Sequence, residues 1–393
     1  MKKFLLKTFL GSALMAGLLS SCGEDRSGEY YALISSKSWM YETMQQYYLF
    51  YQDLPDKEEL NFFDTPANFL SATVSDKDKK NGYTFSHIDS IPESRSSMSE
   101  YPCFGFEGAL IRTSSGDYAI RVIYTEKDSP AEKAGLKRGD WIIAADNKAI
   151  TSNDYNTYIK APAKSYTFTM GTYNGEGFDT IPTPITMPQP EYVKINNLLK
   201  TSIVTAGNRK AAYLLYNSFG EDDTQDLQQA MTQLAAEQPT DVILDLRYNP
   251  GGYVNTSMVL ASMLAPAEAV GKTYINLLYN DKREEKTTFL IDAAYRTGGT
   301  TFSYNNLYII TSGETASASE AVINGLKPYM QGKLFQVGTA TFGKNLGQEL
   351  FNSEEAPQLN FWLTTFYLAN SEGFYDYFDN GLPADYTIEE DFS

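Results

Sequence analysis

Between about residues 30 and 70 the apolar positions recur at three- and four-residue intervals. Trp39, Met40, Thr43, Met44, Tyr47 and Tyr48 fall on one stripe, which predicts amphipathic helix with its aromatic residues in a core. Ser75-Asp76-Lys77-Asp78-Lys79-Lys80-Asn81-Gly82 has the composition of a loop. From about Ser99 to Met187 the pattern becomes one of short strands and turns, and Tyr118-Ala119-Ile120-Arg121-Val122-Ile123 alternates at period two, as a half-buried strand does. Ser129 then predicts an N-cap with Pro130 at the first helical position and Glu132 as capping-box partner; Gly135 ends the short helix and Gly139-Asp140 turns into a strand. Pro182, Pro184, Pro188 and Pro190 read as a linker. Beyond them strand and helix alternate: strand over 211–216, helix over 222–238, buried strand over 242–246 and another over 307–311. This alternation predicts an α/β core with some parallel pairing. No internal repeat is evident.

The N-terminus follows a different rule. Lys2, Lys3 and Lys7 precede an apolar run from Phe9 to Leu19, shorter than the roughly 20 residues a membrane-spanning helix needs. A basic start with a short apolar core reads as a secretory signal peptide over residues 1–21. Leu19-Ser20-Ser21-Cys22 resembles a bacterial lipobox, which makes Cys22 the acylated first mature residue; the other reading is an ordinary signal with a chance cysteine. Two or three acyl chains anchor far more firmly than one. Residues 22–29 are polar and read as a lipidated tether.

Length and charge narrow the classes. A chain of 393 residues with 42% hydrophobic and 21% charged residues is globular and suggests two or three domains. Its formal charge is −17, and loss of the three signal-peptide lysines leaves 29 basic against 49 acidic residues, near −20. That charge gives no attraction for nucleic acid or anionic headgroups. Cys103 is the only cysteine besides Cys22, so with Cys22 acylated neither an intrachain disulfide nor a cysteine-based zinc cluster is expected. No cofactor or metal is expected.

Three segments of the C-terminal core carry candidate chemistry. Asp245-Leu246-Arg247-Tyr248-Asn249-Pro250-Gly251-Gly252 is a strand running into a glycine turn, where backbone N–H groups can approach a ligand; alone it reads as a structural turn. Thr315-Ala316-Ser317-Ala318-Ser319-Glu320-Ala321 opens a helix, so Ser317 sits at its positive end; alone, Ser317 reads as an N-cap with Glu320 as its capping-box partner. Thr341-Phe342-Gly343-Lys344-Asn345-Leu346-Gly347-Gln348 is a Gly-Lys turn without the glycine pattern of a phosphate-binding loop.

Taken together, in this order, the three segments resemble the carboxyl-terminal processing (tail-specific) proteases. The run from Ser129 to Ile142 resembles the PDZ signature of bacterial proteases, and Asn380-Gly381-Leu382-Pro383-Ala384-Asp385 resembles the family's closing turn with one extra residue. The resemblance implies Ser317 as nucleophile, Lys344 as general base and Gln348 as the residue orienting the lysine. It also implies an oxyanion hole from the N–H groups of Ala318 and of Gly251 or Gly252. It implies a multidomain α+β chain: a helical domain over 30–98, a PDZ-like domain over 99–188 and a ClpP/crotonase-like α/β peptidase core over 189–393. Phe104, Gly105, Phe106 and Glu107 stand where the peptide groove begins, and Glu107 replaces a frequent glycine. Its carboxylate is expected to oppose a peptide's C-terminal carboxylate, which favours docking by strand addition over strict C-terminal recognition.

Chemistry supports the same residues without the family. A serine hydroxyl needs a base to attack an amide, and His87, placed in a loop, is the only histidine. A lysine serves once its pKa falls from about 10.4 towards 7 or 8, and Lys344 has apolar neighbours and no adjacent carboxylate. Ser317 and Lys344 are 27 residues apart, slightly more than is usual in the family, with Pro328 in the extra length. The expected protein is a lipid-anchored serine endopeptidase of the bacterial cell envelope, on the outer membrane facing the periplasm or the surface, with peptide or protein substrates. The alternatives are an idle peptide-binding relative and a structural or glycan-binding lipoprotein.

Overall fold

The computed structural model describes residues 27–90, 99, 101–296, 303–354 and 356–391. The signal segment and Cys22 lie outside them. The chain forms two compact units. One comprises the chain up to Ile91 with Asn280–Glu284 and Gln348–Thr365; the other comprises Pro92–Tyr279, Glu285–Gly347 and Phe366–Ser393.

In the first unit the expected helix runs from Ser27 to Tyr47 and a second, capped by Thr65, from Pro66 to Thr73. Met40, Met44 and Tyr48 of the stripe are fully buried, whereas Tyr47 is exposed. The stretch read as a loop at 75–82 is more ordered than its composition suggests. Asp76–Asp78 forms a 3-10 turn, and Lys79–Lys80 pairs with Tyr83–Thr84 in a small hairpin. Asn81 and Gly82, with φ of 50° and 83°, supply the two left-handed residues such a hairpin turn requires. Asp78 is fully buried. His87 is not in a loop: the strand His87–Ser90 pairs antiparallel with Leu359–Trp362, from near the other end of the chain. No local pattern announces that pairing, because strand partners are chosen by the tertiary fold.

Two sheets of the second unit differ in character. In the first, Phe106–Arg112, Tyr118–Thr125, Trp141–Ala145, Thr167–Tyr173 and Ile185–Thr186 lie side by side in that order, all antiparallel. Ile185–Thr186 falls within the proline-rich stretch read as a linker. Its prolines are compatible with a sheet edge, where one row of N–H groups needs no partner. Ser129 caps the short helix Pro130–Lys133 through the Glu132 N–H at 3.1 Å, but the Glu132 carboxylate takes the N–H of Asp128, not that of Ser129. Among the described residues strand Phe106–Arg112 forms one edge of this sheet.

The other sheet is the α/β core. Its strands are ordered Leu198–Ala206, Arg209–Tyr216, Asp241–Asp245, Asn306–Thr311, Leu334–Gly338 and Tyr386–Thr387; only the first pair is antiparallel. Helices Thr224–Ala236, Val254–Leu264 and Ala318–Leu326 follow successive strands, as parallel crossovers require. Leu244, Leu246, Leu260, Ile309, Val322 and Leu326 meet in one buried cluster. The carboxyl ends of the parallel strands therefore emerge together, where open α/β sheets place their sites.

The closing turn braces that end. Gly381, with φ of 68°, lies so close to Thr341 that a Cβ there would stand 2.0 Å from the Thr341 carbonyl oxygen. Thr341 N–H donates to Leu382 O at 3.1 Å, and Leu382 N–H donates to Thr341 Oγ1 at 2.7 Å. Gly381→Ala is therefore expected to destabilise the chain by more than about 1–3 kcal/mol, through backbone strain together with the clash. Chemical denaturation of the two proteins measures it, and equal midpoints would show that the turn does not brace Thr341.

Candidate active site

The site is built where strand Asn306–Thr311 gives way to helix Ala318–Leu326. The intervening turn is stitched to the neighbouring strand end. Thr315 Oγ1 donates to Leu246 O at 2.8 Å, Ala316 N–H to Asn249 O at 3.1 Å and Ser319 Oγ to Asn249 O at 2.9 Å. These bonds hold Ser317 at φ 54° and ψ −116°, a conformation non-glycine residues avoid at a cost of order 1–3 kcal/mol. Ser319 is wholly buried with its hydroxyl committed to the backbone, while Ser317 keeps 8% exposure. The register therefore favours Ser317 as the reactive hydroxyl.

Gly251 packs directly on Ser317: a Cβ there would lie 2.7 Å from Ser317 Cβ and 3.0 Å from Ala318 N. Only a glycine lets the two turns meet. The candidate donors separate here. Gly251 N–H is already donated to Asn249 Oδ1 at 2.9 Å, and the Asn249 amide nitrogen donates to Tyr216 O at 2.9 Å. Among the described residues Gly252 N–H and Ala318 N–H have no such protein acceptor. Of the two glycines, Gly252 is the one with a donor to offer.

The group that joins Ser317 and Lys344 is Glu320, which the sequence read only as a capping partner. Its carboxylate is fully buried. Oε1 accepts Thr341 Oγ1–H at 2.5 Å and Gly343 N–H at 2.6 Å; Oε2 accepts both Ser317 N–H and Lys344 N–H at 2.8 Å. Two such bonds to one oxygen place the backbone nitrogens of Ser317 and Lys344 no more than twice that distance apart, across 27 residues of sequence. The Lys344 side chain is half-buried. Burial pushes the Glu320 carboxyl up to about 7 even though all four donors pull it down.

The remaining site residues are placed as follows. Gln348 lies in strand Leu346–Phe351, and its amide nitrogen donates to Thr364 Oγ1 at 3.4 Å. His87 Nδ1–H donates to Phe85 O at 2.8 Å, and the ring stacks on Trp362. Phe104 and Phe106 do not line a groove: both rings are buried against Phe168 in the core of the antiparallel sheet. What that segment can offer a peptide is its backbone, at the edge strand. Glu107 is not an unopposed charge either. Tyr155 OH donates to Oε1 at 2.5 Å and Lys160 Nζ to Oε2 at 2.7 Å, from the turn of helix Asn156–Lys160. Among the described residues no group of three or more His, Cys, Asp or Glu is arranged to hold a metal ion.

Comparison with known proteins agrees with this architecture. Residues 210–388 match the model of peptidase family S41, residues 35–87 the peptidase S41 N-terminal domain and residues 121–165 a PDZ domain. In chain order, the matched segments are thus similar to the S41 N-terminal domain, a PDZ domain and the S41 peptidase. It is 27% identical to the carboxy-terminal-processing protease of Bartonella bacilliformis, over 67% of this chain and 57% of that one. It is 26% identical to the carboxy-terminal processing protease CtpB of Bacillus subtilis, over 62% of this chain and 48% of that one. The matched region thus spans about half the length of these curated relatives. Among solved structures, a putative S41 protease from Bacteroides fragilis shares 28% identity with a TM-score of 0.78, covering 90% of each chain.

Glu320→Gln tests the shared carboxylate. An amide nitrogen in place of either oxygen faces two donors, and each buried donor left unpaired costs about 1–3 kcal/mol. A folded-state pKa above the unfolded value means this group's stabilisation is complete below about 4.5, the ordinary value, and is lost as pH rises through about 7. The Gln variant lacks that slope, so its stability deficit relative to wild type should shrink between pH 5 and pH 8. Calorimetry at the two pH values measures it; parallel slopes would mean Glu320 does not titrate there.

Proposed function

We propose that this chain is a serine endopeptidase of the carboxyl-terminal processing type, acting on envelope or extracellular proteins through Ser317 and Lys344. The observation that carries it is the single buried carboxylate of Glu320, bonded to the backbone of both residues.

The chemistry follows from the parts. Neutral Lys344 Nζ accepts the Ser317 hydroxyl proton as Oγ attacks the substrate carbonyl carbon. The carbonyl oxygen becomes an oxyanion, faced by the N–H groups of Gly252 and Ala318 and by the positive end of helix Ala318–Leu326. Collapse breaks the C–N bond, and the lysine returns its proton to the leaving amine. Water, deprotonated by the same lysine, then releases the acyl group from Ser317. Gln348 is the residue to which the resemblance gives the role of orienting the lysine. Substrate docks by adding a strand to the edge Phe106–Arg112, beside the Glu107–Lys160 pair. Because Lys160 and Tyr155 already satisfy Glu107, docking a free carboxylate there means rearranging this pair.

We further propose that Cys22 is acylated and tethers the protein to a bacterial membrane of the cell envelope. No helix among the described residues is long and apolar enough to cross a membrane. Cys22→Ser should move the protein from the membrane to the soluble envelope fraction. Membrane association unchanged in the variant, with no acyl mass on residue 22 of the wild type, would refute the anchor.

Ser317→Ala should abolish peptide hydrolysis and labelling by a fluorophosphonate probe. Arginine cannot lose its proton, so Lys344→Arg should be as inactive as Lys344→Ala. His87→Ala should keep most of the activity. A dead, folded His87→Ala beside an active Lys344→Arg would replace the Ser–Lys mechanism with a histidine one.

A further inference from the structure

A second carboxylate gathers groups from three parts of the second unit. Tyr386–Thr387 pairs with Val337–Gly338, and Ile388 N–H donates to Gly338 O at 2.9 Å, so this segment is fixed on the α/β core. Two residues further on, Glu390 Oε1 accepts Arg247 Nη1 at 2.9 Å, Arg138 Nη2 at 3.0 Å and the Tyr248 hydroxyl. Arg247 and Tyr248 belong to the core, where the chain leads into Gly251 and Gly252. Arg138 belongs to the antiparallel sheet, in the turn before strand Trp141–Ala145, and its Nη1 donates to Ile123 O at 2.7 Å. Only 14% of the Glu390 side chain is exposed.

The charges make that carboxylate decisive. Both guanidiniums lie over the Tyr248 ring, Arg138 at 5.9 Å and Arg247 at 5.4 Å from its centre. Asp245 answers Arg247 with two bonds, Nε to Oδ1 at 3.0 Å and Nη2 to Oδ2 at 2.8 Å, and also takes the Tyr213 hydroxyl at 2.8 Å. Arg138 forms its ion pair with Glu390 alone among the described residues. Without Glu390, two like charges would share one aromatic ring and repel. A single acceptor oxygen thus converts a repulsion between the antiparallel sheet and the core into an attachment. We propose that Glu390 is a latch: it fixes the antiparallel-sheet module on the core and so holds the docking edge Phe106–Arg112 at a set span from Ser317. The effect on cleavage rests on the proposed roles of that edge and of Ser317; the attachment itself does not.

The test uses the full mature chain and two substrates: unfolded casein, and a tetrapeptide amide, at most about 14 Å long when extended, that can occupy Ser317 without the edge. A loosened module lowers the effective concentration of docked substrate, so Glu390→Gln should raise KM for casein about tenfold and leave tetrapeptide cleavage unchanged. Arg138→Met should do the same, and Arg138→Lys, which keeps the charge, should restore most of the loss. The double variant Glu390→Gln with Arg138→Met should be no worse than the worse single one, because both changes break one bond. Losses that multiply, equal losses on the two substrates, or casein cleavage at the full rate would overturn the latch. Amide hydrogen exchange over 188–197, the stretch joining sheet to core, needs no catalysis. In the Ser317→Ala chain it should quicken on adding Glu390→Gln, and unchanged exchange would overturn the latch while leaving the peptidase reading intact. Quickened exchange beside a wild type that cleaves neither substrate would instead remove the peptidase reading and support the latch.

Discussion

The site depends on one buried carboxylate. Glu320 gathers four donors, from the backbones of Ser317, Lys344 and Gly343 and from the hydroxyl of Thr341. Each belongs to a segment that would otherwise be a free turn. A carboxylate suits the task because it has about four acceptor positions and no hydrogen, so N–H and O–H groups can converge on it from several directions. Burial removes the competition of water and shortens the bonds, at the cost of holding a charge in a poor dielectric. That cost appears as a carboxyl pushed up to about 7. The ionised form that bonds both segments is thus the one that burial disfavours.

Around that anchor, close contacts replace flexibility. Ser317 is held in a strained backbone conformation by bonds from Thr315, Ala316 and Ser319 to the facing strand end. Gly251 and Gly381 allow approaches that any side chain would block, the first to Ser317 and the second to Thr341. The last turn of the chain reaches Glu320 indirectly, because Leu382 N–H occupies a lone pair of the Thr341 hydroxyl and directs its proton to the carboxylate. Asp78 uses the same device in the first unit, where backbone donors orient the hydroxyls that satisfy a buried carboxylate.

Much of this was legible in the sequence because it rests on local rules. The stripe of Met40, Met44 and Tyr48, the alternation in 118–123, the cap at Ser129 and the buried strands around 242–246 and 307–311 follow from periodicity and capping, which nearest neighbours decide. So did Ser317, Lys344 and the glycine turn as candidates, since nucleophile, base and N–H donors have recognisable residue types. Tertiary structure decided which donors and acceptors meet. Glu320 looks like a cap partner until Thr341, Gly343 and Lys344 arrive from more than 20 residues away. Gly251 looks like an oxyanion donor until Asn249 takes its N–H. Glu107 looks unpaired until Lys160 folds over it, and 75–82 looks like a loop until Asp78 is buried. Hydrogen bonds between distant segments leave no periodic trace in a chain. Sequence therefore determined the elements and the chemistry available, and packing determined which polar groups are spent on structure and which remain for a substrate.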